Sequence, residues 1–276
     1  MRWTDQGRSK NLEDRRGMGG LGKGLGIGGT VVVLALSLLT GRNLFNDLGV
    51  QPGVGTGSPM TAEDSAREEK EVRFVSYVLD DTEKTWTNIL ARGNEQYVAP
   101  KLVLFRNSTE SGCGFAQSAM GPFYCPVDQK VYIDLGFYDE LQTRFGASGD
   151  FAQAYVLAHE VGHHIQHLAG TDAQVRQAQG SSPGDANELS VRLELQADCY
   201  AGVWANATQQ KGMLEAGDVQ EAMNAASAVG DDRIQQQSGQ RVNVDAFTHG
   251  SAAQRAEWFG KGFQSGDIRS CNTFGS

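Results

Sequence analysis

Residues 154–170 read AYVLAHEVGHHIQHLAG, and His159-Glu160-Val161-Gly162-His163 within them is an H-E-x-x-H string. Residues four apart lie on one face of a helix, so two such imidazoles can reach a common point. The lead-in Tyr155-Val156-Leu157-Ala158 is apolar, as a buried helix requires. The pattern predicts a helix over 151–168, capped by Ser148-Gly149-Asp150 and stopped by Gly170. Four of the chain's five histidines fall between 159 and 167. His164 and His167 are read as packing residues with no ligand role, and Gly162 as leaving space beside the ion.

A second string, RLELQADCYAGVWA at 192–205, lies in a helix predicted over 186–208 and puts Glu194 and Asp198 on one face. A catalytic zinc takes three protein ligands and keeps one position open, so His159, His163 and Glu194 are the expected ligands of one Zn2+. Asp198 is then placed to hold the far nitrogen of one ligating histidine. Glu160, next to the first ligand, is the expected general base toward zinc-activated water. A three-histidine scheme fails, because Ala169 stands where the third imidazole would fall and Gln166 where a glycine is needed. The oxyanion of a tetrahedral intermediate needs a further donor. His249 and Tyr200 are the candidates, although His249-Gly250-Ser251 also reads as a helix-entry turn.

Outward from these helices, an apolar helical pattern runs from Phe74 through Ile89-Leu90. KLVLF at 101–105, residues 114–118 and KVYIDL at 130–135 read as strands. A further helix is predicted over 218–229, and the polar stretch 174–184 reads as a surface loop. Strands first and helices after them describe an α+β domain over 66–276, a small mixed sheet beside the active-site helices. Peptide substrates of such enzymes add as a strand to a sheet edge, which 112–119 or 130–134 could offer.

A mean hydropathy of −0.39 excludes a multi-pass membrane protein. It leaves room for one span, and residues 24–41 carry no charge. Residues 1–23 hold six basic against three acidic side chains, a net +3 that leaves −12 to the remainder of a chain of net charge −9. The expectation is a cytoplasmic segment at 1–23, a single transmembrane anchor at 24–41 and a flexible linker at 42–65, with the catalytic domain outside the cell membrane. Gly20, Gly24 and Gly28, four apart, offer a face for a second copy of that helix. An exported domain admits disulfides, and Cys113, Cys125, Cys199 and Cys271 allow three pairings. Cys113–Cys125 with Cys199–Cys271 is preferred, since the first pair brackets a hairpin. The acidic remainder has no basic stripe, which argues against a nucleic-acid partner.

The stretches CGFAQSAMGPFYCPVDQKVYIDLGFYDEL, AYVLAHEVGHHIQHLAG, RLELQADCYAGVWA and THGSAAQRAEWFGKGF, with RWTDQGRSKNLEDRRG near the start, resemble the bacterial family of "putative neutral zinc metallopeptidases", within the broader gluzincin group. The resemblance implies a zincin-like metallopeptidase fold and a zinc-dependent hydrolase, which the reading of residues 24–41 would anchor in the bacterial inner membrane. Its substrate is expected to be a peptide or protein. The alternatives are a zinc hydrolase of another amide, such as one in cell-wall peptide, and a catalytically silent binding module, whose hallmark would be loss of Glu160.

Overall fold

The structure, a computed structural model, describes residues 1–18 and 62–275. It is α+β. A four-stranded sheet has the order β1 (Leu12–Asp14), β2 (Lys101–Phe105), β6 (Lys130–Asp134), β5 (Phe123–Cys125). The first three strands are parallel and β5 runs antiparallel to β6. Between β2 and β5 in sequence, β3 (Ser108–Ser111) and β4 (Gly114–Gln117) form a separate two-stranded hairpin. Strand alternation sorts the sheet's side chains: Leu102, Leu104, Val131 and Ile133 join the main core, while Val103, Phe105 and Tyr132 form a second cluster on the opposite face.

The helices are α1 (Ala62–Arg92), α2 (Gly136–Thr143), α3 (Asp150–Leu168), α4 (Thr171–Ser181), α5 (Ala186–Gln210), α6 (Asp218–Ala228), α7 (Asp231–Gln237) and α8 (Ala252–Ser265). The H-E-x-x-H helix, α3, lies at their centre and is buried along nearly its whole length. Its N-terminus is capped by tertiary structure. Gly149 occupies the cap position at φ 115° with no side-chain bond, and Glu221 of α6 accepts the Phe151 N–H at 3.1 Å. A Cβ at Gly149 would fall on that carboxylate.

Two glycines set how α5 and α8 meet. A Cβ at Gly262 would land on the Cys199 carbonyl oxygen, and one at Gly202 on the carbonyl oxygen of Phe259. The two backbones are therefore in direct contact, and the Cys199–Cys271 disulfide ties the segment after α8 to the same stretch of α5. Gly262→Ala is expected to cost about 1–3 kcal/mol by overpacking. Urea unfolding checks this, and unchanged stability would mean that the helices separate freely. Gly162 works similarly on the other side of α5. Its missing side chain admits the Ala197 backbone, whose oxygen would lie 3.0 Å from a Cβ there. The glycine makes room for a helix, where the sequence suggested room for an ion.

Several expectations are corrected. The stretch 174–184 is mostly helix, because Ala173, Gln174 and Arg176 to Gln179 are good helix formers and Val175 and Asp172 give α4 a buried side. The folded region includes α1 from Ala62, and Lys130–Asp134 is an interior strand paired on both sides. Residues 112–119 fall on the separate hairpin. Among the described residues, the free edge of the main sheet at the α3 side is β5.

The single-pass topology is overturned. Residues 1–18 belong to the same folded unit as 62–275: Leu12 pairs with Leu102, Arg16 with Glu68 at 2.9 Å, and Lys130 with Glu13 at 3.0 Å, and the Met1 amino group lies 2.7 Å from Asp150. One crossing between them would put these partners on opposite sides of a bilayer. The basic residues near the start, read as cytoplasmic retention signals, instead meet acidic partners, among them Glu68 and Glu69 of α1. No helix among the described residues is long and apolar enough to cross a membrane. The anchor at 24–41, the glycines at 20, 24 and 28, and the linker 42–65 apart from the start of α1 lie outside the described residues.

Candidate metal centre and cleft

His159 and His163 project from one face of α3, and Glu194 reaches them from α5. The two Nε2 atoms are 3.2 Å apart, Glu194 Oε2 is 3.2 Å from His159 Nε2, and Oε1 is 3.3 Å from His163 Nε2. Three ligands at about 2.1 Å from a tetrahedral zinc stand about 3.4 Å from one another, so this donor set fits that ion. The same trio is a group able to hold a metal by proximity alone.

Each imidazole is turned to offer its Nε2 lone pair. His159 Nδ1–H donates to Asp198 Oδ1 at 2.8 Å, where the sequence had placed Asp198. His163 Nδ1–H donates to Gln166 Oε1 at 2.8 Å, and the Gln166 amide donates to the Leu193 carbonyl and to Gln196 Oε1. These partners fix both tautomers. In the sequence, Gln166 stands out only where a three-histidine scheme would need glycine. Its spacing from His163 on one helix was the available signal.

Asp198 is completely buried and has partners besides His159. Tyr155 Oη donates to Oδ1 at 2.5 Å, and Arg255 of α8 forks onto the carboxylate, Nε to Oδ2 at 2.8 Å and Nη2 to Oδ1 at 3.0 Å. Burial alone would raise the Asp198 pKa, but Arg255 and then His159 hold it below the usual carboxylate range. Arg255 is itself only 4% exposed and donates to the Val229 carbonyl at 3.3 Å. Nothing in the sequence singled out this arginine, since its partner lies on another helix.

Glu160 lines the same cleft and is 7% exposed. Burial raises its pKa against the pull of the His159 and His163 rings. His249 also lines the cleft, held by Asp231: one carboxylate oxygen accepts the backbone N–H of Thr248, His249 and Gly250, and the other lies 3.2 Å from His249 Nδ1. This leaves Nε2 free of Asp231. That hydrogen bond raises the His249 pKa above its ordinary value. The helix-entry turn is present too, since Ser251 caps α8 in a capping box with Gln254.

Tyr200 does not join the site. It packs edge-on against Trp86 of α1, centroids 5.6 Å apart, on the side of α5 away from Glu194. His164 is buried between Tyr124 Oη at 2.9 Å and the Val98 carbonyl at 2.6 Å, and burial brings its pKa down to about 4. His167 pairs with Asp172 at 2.9 Å. Cys113–Cys125 and Cys199–Cys271 are the disulfides, the first tying the hairpin tip to β5 and the second leaving α5 one residue after Asp198. The cleft encloses about 580 Å³ between α3, α2, β5 and the 118–122 rim. His159, Glu160, His163 and Glu194 all line it.

Residues 1–274 match the family described as "Putative neutral zinc metallopeptidase". The chain is 49% identical over 287 aligned residues to "Uncharacterized protein YpfJ" of Escherichia coli K12, covering 100% of this chain and 99% of that protein. It is 48% identical over 189 residues to "Uncharacterized protein Rv2575" of Mycobacterium tuberculosis, covering 64% of this chain and 63% of that one. No solved structure matches it.

Proposed function

We propose, from the premise that the chain belongs to the putative neutral zinc metallopeptidase family, that it hydrolyses peptide bonds with one zinc ion held by His159, His163 and Glu194. The observation that carries this reading is the convergence of those three donors, with Glu160 beside them in an open cleft. A zincin-like arrangement is part of the same proposal. When bound, zinc supplies Lewis acidity toward a carbonyl and makes water a nucleophile near neutral pH.

The chain's own residues supply the rest. Glu160, its pKa raised by burial, takes a proton from the attacking water and passes it to the leaving amine. His249, held by Asp231 at Nδ1 and favoured by it in the protonated form, donates from Nε2 to the developing oxyanion. β5, whose outer edge meets no strand among the described residues, offers that edge to an extended substrate, which would lie along the cleft as an added strand. The disulfide at Cys125 and the stacking of Phe123 on Tyr132, centroids 4.8 Å apart, hold that edge in place.

The test is metal analysis and cleavage of a broad peptide library by the purified chain. One zinc per chain is expected, with cleavage lost on chelation and restored by zinc. Zinc-full protein that cleaves no peptide would overturn the reading. His249→Ala is expected to lower kcat by about a hundredfold with zinc content unchanged, the range for loss of one oxyanion donor. An unchanged kcat would remove His249 from the mechanism.

A further inference from the structure

The two histidines of the metal centre are held in different ways. A charged group, Asp198, holds His159, whereas His163 is held by neutral amides arranged head to tail. His163 Nδ1–H donates to Gln166 Oε1 at 2.8 Å, the Gln166 amide donates to Gln196 Oε1 at 3.1 Å, and the Gln196 amide donates to the Cys271 carbonyl at 3.0 Å. Every donor in this relay points away from the imidazole, and the last acceptor is a backbone carbonyl in the segment after α8. The relay is buried throughout: Gln166, Gln196 and Cys271 are 0%, 7% and 1% exposed. The segment that supplies the last acceptor is fastened along α5. Cys271 is bonded to Cys199, and Thr273 Oγ donates to the Arg192 carbonyl at 2.7 Å. Arg192, Gln196 and Cys199 are four and then three residues apart, so the segment follows one side of that helix.

We infer that Gln196 is a positioning residue for His163, and that the disulfide-bound segment 267–273 is part of the scaffold of the metal centre. The inference rests on the proposed zinc site, whatever bond is cut there, and goes beyond the contact between His163 and Gln166. Its basis is that an amide has unlike ends. Turning Gln196 over would set its carbonyl against that of Cys271 and its NH2 against that of Gln166, and at this depth solvent repairs neither loss. Gln166 has two N–H bonds and two acceptors for them, the Leu193 carbonyl at 2.6 Å and Gln196 Oε1. The direction of each amide thus fixes the next, back to an imidazole whose Nδ1 carries the proton and whose Nε2 offers its lone pair. The Cys271 carbonyl is the fixed end of the relay, because the disulfide pins its residue to α5. One covalent bond thereby serves both histidines. Cys199 follows Asp198, the support of His159, and Cys271 ends the support of His163.

The test uses the full zinc-loaded chain and two readouts other than activity: competition for the metal by a chelator, and the proton NMR signals of the His159 and His163 Nδ1–H groups. Gln196→Met keeps the length of the side chain and removes both ends of the amide. It is expected to lower zinc affinity about tenfold. It should also move the His163 signal upfield and speed its exchange with solvent, while the His159 signal stays in place. The pair Cys199→Ala with Cys271→Ala releases the last acceptor and should move the His163 signal the same way, so either protein carries the test if the other does not fold. An unmoved His163 signal with unchanged affinity overturns the relay. Equal shifts of both signals in Gln196→Met overturn it too, since they report a general loosening. In either case one zinc per wild-type chain leaves the metal site standing, whereas wild-type protein that takes up no zinc overturns both.

Discussion

Glu160→Gln is expected to lower kcat for peptide hydrolysis by about 10^2 to 10^4 while zinc content stays at one per chain. The substitution is nearly isosteric and removes only the capacity to take and return a proton. Glu160 is not among the converging donors, so the geometry of His159, His163 and Glu194 should survive it. Its neighbourhood is what suits it to the task. Burial raises the carboxyl toward neutral pH while the two imidazoles keep it able to ionise. The measurement is single-turnover cleavage by zinc-loaded wild-type and variant protein, with metal analysis of both. Equal rates would remove Glu160 as the base.

The second large effect is expected far from the motif. Arg255→Met should destabilise the fold by about 3–5 kcal/mol, because it strands a carboxylate that no water reaches. It should also weaken zinc binding by about tenfold to a hundredfold, since Asp198 then orients His159 without its own clamp. Arg255→Lys keeps the charge but not the fork and should recover only part of either loss. Adding Asp198→Asn to Arg255→Met removes the stranded charge. The pair should regain stability without regaining zinc affinity, and that split separates electrostatics from orientation. Urea unfolding with and without zinc, beside competition for the metal, measures all four proteins. Full zinc affinity in Arg255→Met would show that Asp198 needs no partner.

These two residues mark the boundary of what the sequence makes legible. Glu160 was readable because its chemistry is local: His159, Glu160 and His163 share one helical turn and the period of the helix alone places them. Glu194 and Asp198 were readable as a second pair on one face of a second helix, although that the two faces meet was an assumption. Arg255, Gln166 and Tyr155 were not picked out. Arg255 acts across a gap between two helices, and neither side's sequence names the other. The N-terminal segment failed for a similar reason. Arg8 and Arg16 look like a topology signal when counted along the chain, and like ion-pair partners once Glu68 and Glu69 stand beside them.

By itself, then, the sequence determined periodicities and local chemistry: helices over 151–168 and 186–208 with their histidine and carboxylate faces, two of the strands of the main sheet, and an even set of cysteines. Such features follow from bonded geometry over a few residues, where the backbone leaves little choice. Tertiary structure alone decided that α3 and α5 approach closely enough at Gly162 and Ala197 for Glu194 to meet two imidazoles. It likewise decided that Gly202 and Gly262 bring α8 down to place Arg255 on Asp198, and that β5 is the free edge. Those outcomes depend on which surfaces exclude water against each other, a property of the whole packed chain that no short window contains.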